Sequence, residues 1–325
     1  MMSSVLENKV FQKRSTTSFI PPRNHTKVRI GNTPLLELSK ISAEFYPVKI
    51  FAKAEWFNQG SSVKDKAALN MIQDGIKSGK LTENKTILDA TSGNTRIAYA
   101  MLGAVLGYKV KLVIPQNAGL VFKQILKAYG AELILSNPQF GSDVAIREAK
   151  QIYVENPDIH YFPDQYNNRA NWQAHYNSTG PEIIKQTRGK ISHFIAGLGT
   201  SGTFIGTSRR LKKFNPQIQV ISFQPDSPLH GLERLKHMET AIVPGIYDPE
   251  LADLNLEINT EDTKNMVKKL AKTEGLFVGV SAGAAALATV NVAKTISEGY
   301  IVTMFPDSGY KYFDQYFWSE NENGN

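Results

Sequence analysis

A lysine at the junction of a loop and a helix is the first residue of this sequence whose setting suggests chemistry. It lies in the run Asn58, Gln59, Gly60, Ser61, Ser62, Val63, Lys64, Asp65, Lys66, which passes into an apolar helical stretch at Ala67, Ala68, Leu69, Met71 and Ile72. At that position the positive end of the helix dipole and the neighbouring Lys66 both lower the amine pKa, as a Schiff-base nucleophile requires. The same spacing also suits a solvated lysine in a first helical turn. A second segment, Thr91, Ser92, Gly93, Asn94, Thr95, gathers hydroxyls, an amide and free backbone N–H groups at one helix start, either an anion cradle or an ordinary polar cap.

A third segment, Gly197, Leu198, Gly199, Thr200, Ser201, Gly202, Thr203, has the glycines that let main-chain N–H groups converge on a phosphate. It lacks the lysine of a P-loop and the glycine spacing of a dinucleotide site, which disfavours ATP and NAD. The fourth, Gly279 to Ala285, delivers a single hydroxyl, Ser281, at a helix start, where a plain N-cap is the alternative. A poised lysine, two anion cradles and an isolated hydroxyl together suit a phosphorylated aldehyde cofactor beside an amino-acid substrate, and that cofactor is pyridoxal phosphate.

These segments need rigid elements to hold them. Short β-branched or apolar runs at Ile87 to Ala90, Val110 to Ile114, Glu132 to Leu135, His193 to Ala196, Val220 to Phe223 and Tyr300 to Phe305 alternate with helical stretches. Such alternation predicts an α/β fold with parallel sheets built from βαβ units. Ile97 to Leu106 reads as a buried helix ended by Gly107, and Val121 to Tyr129 as an amphipathic one ended by Gly130. No internal repeat and no long Pro/Gly/Ser linker interrupts the pattern, so domains must share an interface.

The 325 residues carry 37 Lys+Arg against 30 Asp+Glu, a net charge of +7, and 42% of them are hydrophobic. This is the profile of a globular chain of about two domains. With no cysteine there is no disulfide framework, zinc knuckle, iron–sulfur cluster or cysteine nucleophile, and no metal site is expected. No apolar run spans a bilayer and no secretion signal is visible, so the expected location is cytoplasmic and no membrane partner is expected. The positive surplus is spread thinly, which disfavours nucleic acid and favours small anions. Residues 1–30, with Lys9, Lys13, Arg14, Arg23, Lys27 and Arg29 among Ser, Thr and Pro, read as a flexible or docking arm, with a transit peptide as the alternative. The polar end, Glu320 to Asn325, reads as frayed.

The sequence resembles the cysteine synthase family of fold-type-II pyridoxal-phosphate enzymes, which also includes cystathionine β-synthase and, more distantly, threonine and serine dehydratases. The resemblance runs from Gly31, Asn32, Thr33, Pro34, Leu35 through the SVKDK, TSGNT and AYGAEL segments, QYNN at Gln165, TGPEI at Thr179, GLGTSGT and GVSAGAA to PDSG at Pro306. It implies two three-layer αβα domains with twisted, mostly parallel sheets, similar to tryptophan synthase β, and the cofactor in the cleft between them. The small domain would be 58–166, and the large one 31–57 plus 167–325. Lys64 would form the internal aldimine and serve as the catalytic base at the substrate α-carbon. Asn94 would contact the cofactor ring hydroxyl, Gly199, Thr200, Ser201, Gly202 and Thr203 would hold its phosphate, and Ser281 would face the pyridine nitrogen. Thr91, Ser92, Gly93 and Thr95, with Gln165, would hold the substrate carboxylate.

The implied reaction is β-replacement: O-acetyl-L-serine, or O-phospho-L-serine, loses its leaving group to give an aminoacrylate, and sulfide adds to give L-cysteine. Synthesis of cystathionine or 2,3-diaminopropionate in the same fold is an alternative. A degenerate, non-catalytic member that binds a partner such as serine acetyltransferase is another. A homodimer is the usual assembly of relatives.

The sequence departs from the family in two stretches. Relatives usually read TSGNTG, whereas position 96 is arginine, a cation that opposes the helix dipole by about 0.3–1 kcal/mol. Either Arg96 turns to solvent or an anion offsets it, and in the second case it joins the substrate site and favours an acidic substrate such as phosphoserine. The stretch Gln116 to Gln124 differs from the mobile loop of relatives, which puts a closing loop there in doubt. Arg234, Lys236 and His237 read as a solvated basic helix or, alternatively, as an anion-recruiting entrance.

Overall fold

The computed structural model describes residues 28–91, 93–137, 141–232 and 234–313. The N-terminal arm up to residue 27 and the polar end lie outside the described residues, as does Ser92. Two sheets organise the chain. The larger has six strands in the order β1-β2-β10-β7-β8-β9, where β1 is Leu35–Glu37, β2 Lys49–Ala54, β7 His193–Gly197, β8 Gln219–Pro225, β9 Leu254–Ile258 and β10 Tyr300–Phe305. Only β1 runs antiparallel to its neighbour. The smaller sheet is parallel, in the order β5-β4-β3-β6, with β3 Thr86–Ala90, β4 Val110–Pro115, β5 Glu132–Ser136 and β6 His160–Tyr161. The helices are α1 Ser39–Ala43, α2 Lys64–Lys77, α3 Asn94–Leu106, α4 Leu120–Ala128, α5 Gly141–Glu155, α6 Arg169–Asn177, α7 Thr179–Gln186, α8 Gly202–Phe214, α9 Thr260–Glu274 and α10 Val280–Ala293.

The α/β expectation holds, and the side-chain alternation of the strands explains the layering. On β10, Ile301 and Phe305 join a core with Val267 and Leu270 of α9 and the alanines of α10, whereas Val302 and Met304 face the opposite core with Phe204, Ile205 and Leu211 of α8. In the smaller sheet Ile87, Leu112 and Ile114 pack towards α2 and α3, and Leu88, Ala90 and Val113 towards Ala145 and Ala149 of α5. Each sheet therefore has apolar residues on both faces and helices over both, as parallel strands require. Each fully buried Leu, Ile or Phe contributes about 1.5–3 kcal/mol. Helix α3 ends at Gly107, whose φ of +79° is costly for a residue with a Cβ, and α4 is followed by Gly130 at +78°. Among the described residues no helix is long and apolar enough to cross a membrane.

The parallel strands β3, β7 and β10 each end in one of the segments singled out from the sequence. Ala90 leads into the Thr91 segment, Gly197 into the glycine-rich loop, and Phe305 into Pro306 and Asp307. In open α/β sheets the carboxyl ends of strands are where ligands bind, because chain segments diverge there and expose helix N-termini.

Candidate active site

Lys64, Asn94 and Val280 are the first residues of α2, α3 and α10, and Gly202 is the first of α8. These helix starts surround one cavity, lined by Lys64, Thr91, Gly93, Asn94, Thr95, Gln165, Gly199, Thr200, Thr203 and Ser281 together with Arg234 and Lys236. The positive ends of several helices thus face one space, a setting for an anionic ligand. Ser201 and Gly202 form the start of α8 behind this wall, and both are buried.

The glycines of the glycine-rich loop have no room for side chains. A Cβ at Gly199 would lie 2.6 Å from the Arg234 carbonyl oxygen, and one at Gly202 2.1 Å from Asn171 Oδ1. Asn171 Nδ2 in turn donates to Thr200 Oγ1 at 3.2 Å and to the Gln165 carbonyl at 2.7 Å, which ties the loop to the opposite wall. Thr95 Oγ1 donates to Gln165 Oε1 at 2.9 Å, so the amide nitrogen of Gln165 stays available as a donor. Ser61, Ser201 and Arg234 all hold positive φ, at 60°, 63° and 74°. Such strain, of order 1–3 kcal/mol per residue, collects where a site fixes its backbone.

Lys64 has its pKa lowered from 10.5 to about 8. Burial is the main cause; the Asp307 carboxylate opposes it and the Arg234 guanidinium adds to it. The direction matches the sequence argument, but the cause differs. Lys66 is not the perturbing neighbour: its ammonium is taken up by Glu55 at 2.8 Å and Glu182 at 3.0 Å and by Thr179 Oγ1 at 3.1 Å. A direct test is the pH dependence of Lys64 acylation in the cofactor-free protein, followed by peptide mapping. The rate should rise with a midpoint near 8. Arg234→Met removes a like charge and should move the midpoint up; Asp307→Asn removes the counter-charge and should move it down.

The ion cluster around Lys66 involves several of the segments that carry the family resemblance. Lys53 meets Glu182 at 2.7 Å and donates to the Thr33 carbonyl, while Thr33 Oγ1 donates to Glu55 Oε1 at 2.7 Å. Burial alone would raise the Glu55 and Glu182 carboxyls, but the Lys66 and Lys53 ammonium groups outweigh it and hold both below the ordinary range. The cluster is not isolated from the site, because His175 lies 3.0 Å from Thr179 Oγ1 and 3.3 Å from Thr203 Oγ1. Burial keeps His175 neutral at ordinary pH.

Two expectations need correction. Arg96 does not turn to solvent: it is 2% exposed and its guanidinium lies 4.3 Å from the centre of the Phe122 ring. It is also not among the side chains that line the cavity. The aromatic face of Phe122, brought in by α4, lies against this cation in the first turn of α3. Arg234, Lys236 and His237 do not form a solvated basic helix. Arg234 and Lys236 line the cavity, and His237 is buried with its ring nitrogen 3.0 Å from Thr240 Oγ1. Arg234 stacks 4.3 Å from the Tyr312 ring centre and 5.2 Å from that of Phe122, and Lys236 lies 5.1 Å from that of Tyr166.

Sequence reasoning assigned no role to Asp307, Lys311 or Tyr312, which the structure brings to the site. Asn94 Nδ2 donates to Asp307 Oδ2 at 2.6 Å, Tyr312 donates to the same oxygen, and Lys311 Nζ donates to Asn94 Oδ1 at 2.8 Å. Asp307 belongs to the PDSG segment, which was one available signal; a lysine four residues later carries none.

An amine of depressed pKa, a glycine-rich loop on a helix start and a lone helix-start hydroxyl around one cavity are what an enzyme that uses a phosphorylated aldehyde requires. The chain belongs to the cysteine synthase family of pyridoxal-phosphate dependent enzymes. The model of the family described as "Pyridoxal-phosphate dependent enzyme" matches residues 27–307. The cysteine synthase of Aquifex aeolicus is 48% identical over 90% of this chain and 91% of its own. The crystal structure of cysteine synthase from Entamoeba histolytica superposes with a TM-score of 0.86 at 32% identity, covering 95% of each chain. That of O-ureido-L-serine synthase does so at 0.85 and 29% identity, covering 91% of this chain and 95% of the other.

Proposed function

We propose that this chain binds pyridoxal phosphate through Lys64 and makes L-cysteine from O-acetyl-L-serine and sulfide by β-replacement. The observation that carries this reading is the convergence of the Lys64 amine, the glycine–threonine loop that leads into α8 and Ser281 on one cavity. These residues fit the cofactor: the Gly199 to Thr203 loop suits a phosphate dianion, and an amine with a pKa of about 8 is deprotonated often enough near neutral pH to attack an aldehyde. When bound, the cofactor supplies an electron sink for charge developing at the substrate α-carbon.

The protein's own groups divide the remaining work. Backbone and hydroxyl donors of Thr91, Ser92, Gly93 and Thr95, with the Gln165 amide, hold the substrate carboxylate. Lys64 then takes the α-proton. Ser281, a hydroxyl where a carboxylate would keep the pyridine nitrogen protonated, favours prompt departure of the β-leaving group over transamination. Arg234 and Lys236 face that leaving group with positive charge, and acetate or phosphate departs as an anion. Residues 58–166, which contain the smaller sheet, would form the small domain, and 31–57 with 167–325 the large one.

The test is product analysis. Protein supplied with pyridoxal phosphate should convert O-acetyl-L-serine and sulfide to cysteine faster than it converts homocysteine to cystathionine or ammonia to 2,3-diaminopropionate. A dominant product other than cysteine would reassign the nucleophile, and no turnover with any of the three would leave a binding protein. For the leaving group, Arg96 packs on the Phe122 ring, near which Arg234 also lies, and so would help place Arg234. Arg96→Gly should therefore lower the kcat/KM ratio of phosphoserine to acetylserine several-fold, and Arg234→Met by about tenfold, the size of one charge-assisted hydrogen bond. An unchanged ratio in both variants would remove these cations from substrate choice.

A further inference from the structure

Lys311 is a buried cation that touches no expected ligand group, yet it grips two segments of the site at once. It lies in the 3₁₀ turn Gly309–Tyr312 after β10 and is 7% exposed. Its ammonium donates to the Ser61 carbonyl at 2.9 Å, three residues before Lys64, and to Asn94 Oδ1 at 2.8 Å. The Asn94 amide is thereby held from both ends, because its nitrogen donates to Asp307 Oδ2 at 2.6 Å. Asp307 is itself fully buried and is held by the Tyr312 hydroxyl.

Charge decides which way this amide points. Turned over, it would set its NH₂ group against an ammonium and its oxygen against a carboxylate, so only the observed orientation is allowed. Two consequences follow. One N–H of Asn94 is used on Asp307, and one remains at a residue that lines the cavity. A cation on the amide oxygen also draws electron density from the nitrogen, which makes the remaining N–H a stronger donor.

We propose that Lys311 is a positioning residue for the cofactor ring oxygen: its ammonium on Asn94 Oδ1 fixes and polarises the amide whose remaining N–H donates to that oxygen. This rests on the reading that pyridoxal phosphate is bound with its ring hydroxyl at Asn94. Lys311 itself does not contact the cofactor. A strong donor at the ring oxygen favours the form of the bound cofactor with that oxygen ionised, which absorbs at longer wavelength than the form with a proton on it.

The experiment compares the ratio of these two absorption bands in the loaded full-length protein and its variants at one pH. Lys311→Met should shift the ratio about tenfold towards the short-wavelength band, the equivalent of one charge-assisted hydrogen bond. Asn94→Ala should do the same, and the double variant should add nothing, since both act on one donor. Lys311→Arg should restore most of the long-wavelength band. Lys311→Gln, which keeps a donor without the charge, should fall between and serves if the methionine variant does not fold. A wild-type ratio in both Lys311→Met and Lys311→Gln overturns the proposal while leaving the cofactor assignment standing; so does an additive double variant. Wild-type protein that takes up no pyridoxal phosphate overturns the assignment and this inference together.

Discussion

Lys64→Ala is expected to lower turnover by about 10⁴-fold or more, because in the proposed function one side chain would supply both the covalent tether and the base at the substrate α-carbon. The protein should still fold and still retain cofactor noncovalently, since the loop at the start of α8, proposed to hold the phosphate, does not depend on the lysine. Borohydride treatment should fix cofactor to the wild-type chain but not to the variant. Small primary amines added to the solution should restore part of the activity, as the cavity left by the lysine side chain admits them. Normal turnover in Lys64→Ala would remove this residue from the chemistry, and a variant that loses cofactor entirely would show that the tether, not the loop, provides most of the affinity.

The largest stability effect is expected away from the cavity, at Glu55. Its carboxylate is fully buried and receives Lys66 Nζ at 2.8 Å, Asn58 Nδ2 at 2.8 Å and the Thr33 hydroxyl at 2.7 Å. Two acids and two lysines balance in this cluster, so Glu55→Gln leaves an excess buried positive charge and should cost about 3–5 kcal/mol. Denaturant midpoints measure it. The pH dependence gives the mechanism a second check. In the wild type, Glu55 and Glu182 titrate below their ordinary range, so their contribution is present above the unfolded carboxylate value of 4.5 and is lost as the pH falls through the folded values. In Glu55→Gln the surplus charge sits on the lysines, and the variant should regain stability as alkali removes a proton from Lys53 or Lys66. A loss near zero at neutral pH would mean that the cluster is solvated in solution.

Strands β3, β4, β5, β7, β8 and β10 were legible in the sequence from short β-branched or apolar runs, and all of them but β5 are largely buried. Strand β2 was not, because Lys49 and Lys53 leave only the three-residue run Ile50 to Ala52 between them. Lys53 is fully buried all the same, and Glu182, far along the chain, together with Glu55 and the Thr33 carbonyl, makes that tolerable. The same limit applies at the site. The segments that deliver the cavity lining announce themselves through local glycine and hydroxyl content. Arg96 and Arg234 could not be placed from the sequence, since each packs on aromatic rings remote from it in sequence, Arg96 on Phe122 and Arg234 on Tyr312 and Phe122. Lys311 was illegible for the converse reason, as a lysine reads as solvated until the fold encloses it. Local sequence thus disclosed donors and turns, whereas the compensation of buried charge depended on contacts that span the chain.

The place of β10 bears on how the molecule comes together. This strand lies between β2 and β7, pairing Ile50 with Ile301 and Phe194 with Val302, so the last strand of the larger sheet completes its middle. The smaller sheet draws all its strands from residues 86–161 and can assemble from a contiguous stretch. A chain emerging from the ribosome would close the smaller sheet early, while β2, already paired with β1 on one edge, waits for its second partner some 250 residues downstream, as Ser61 waits for Lys311. Non-local pairing of this kind is slow and leaves an apolar strand edge open until it is made. Binding competence should therefore arise late and abruptly, with the addition of the final strand and the turn that follows it.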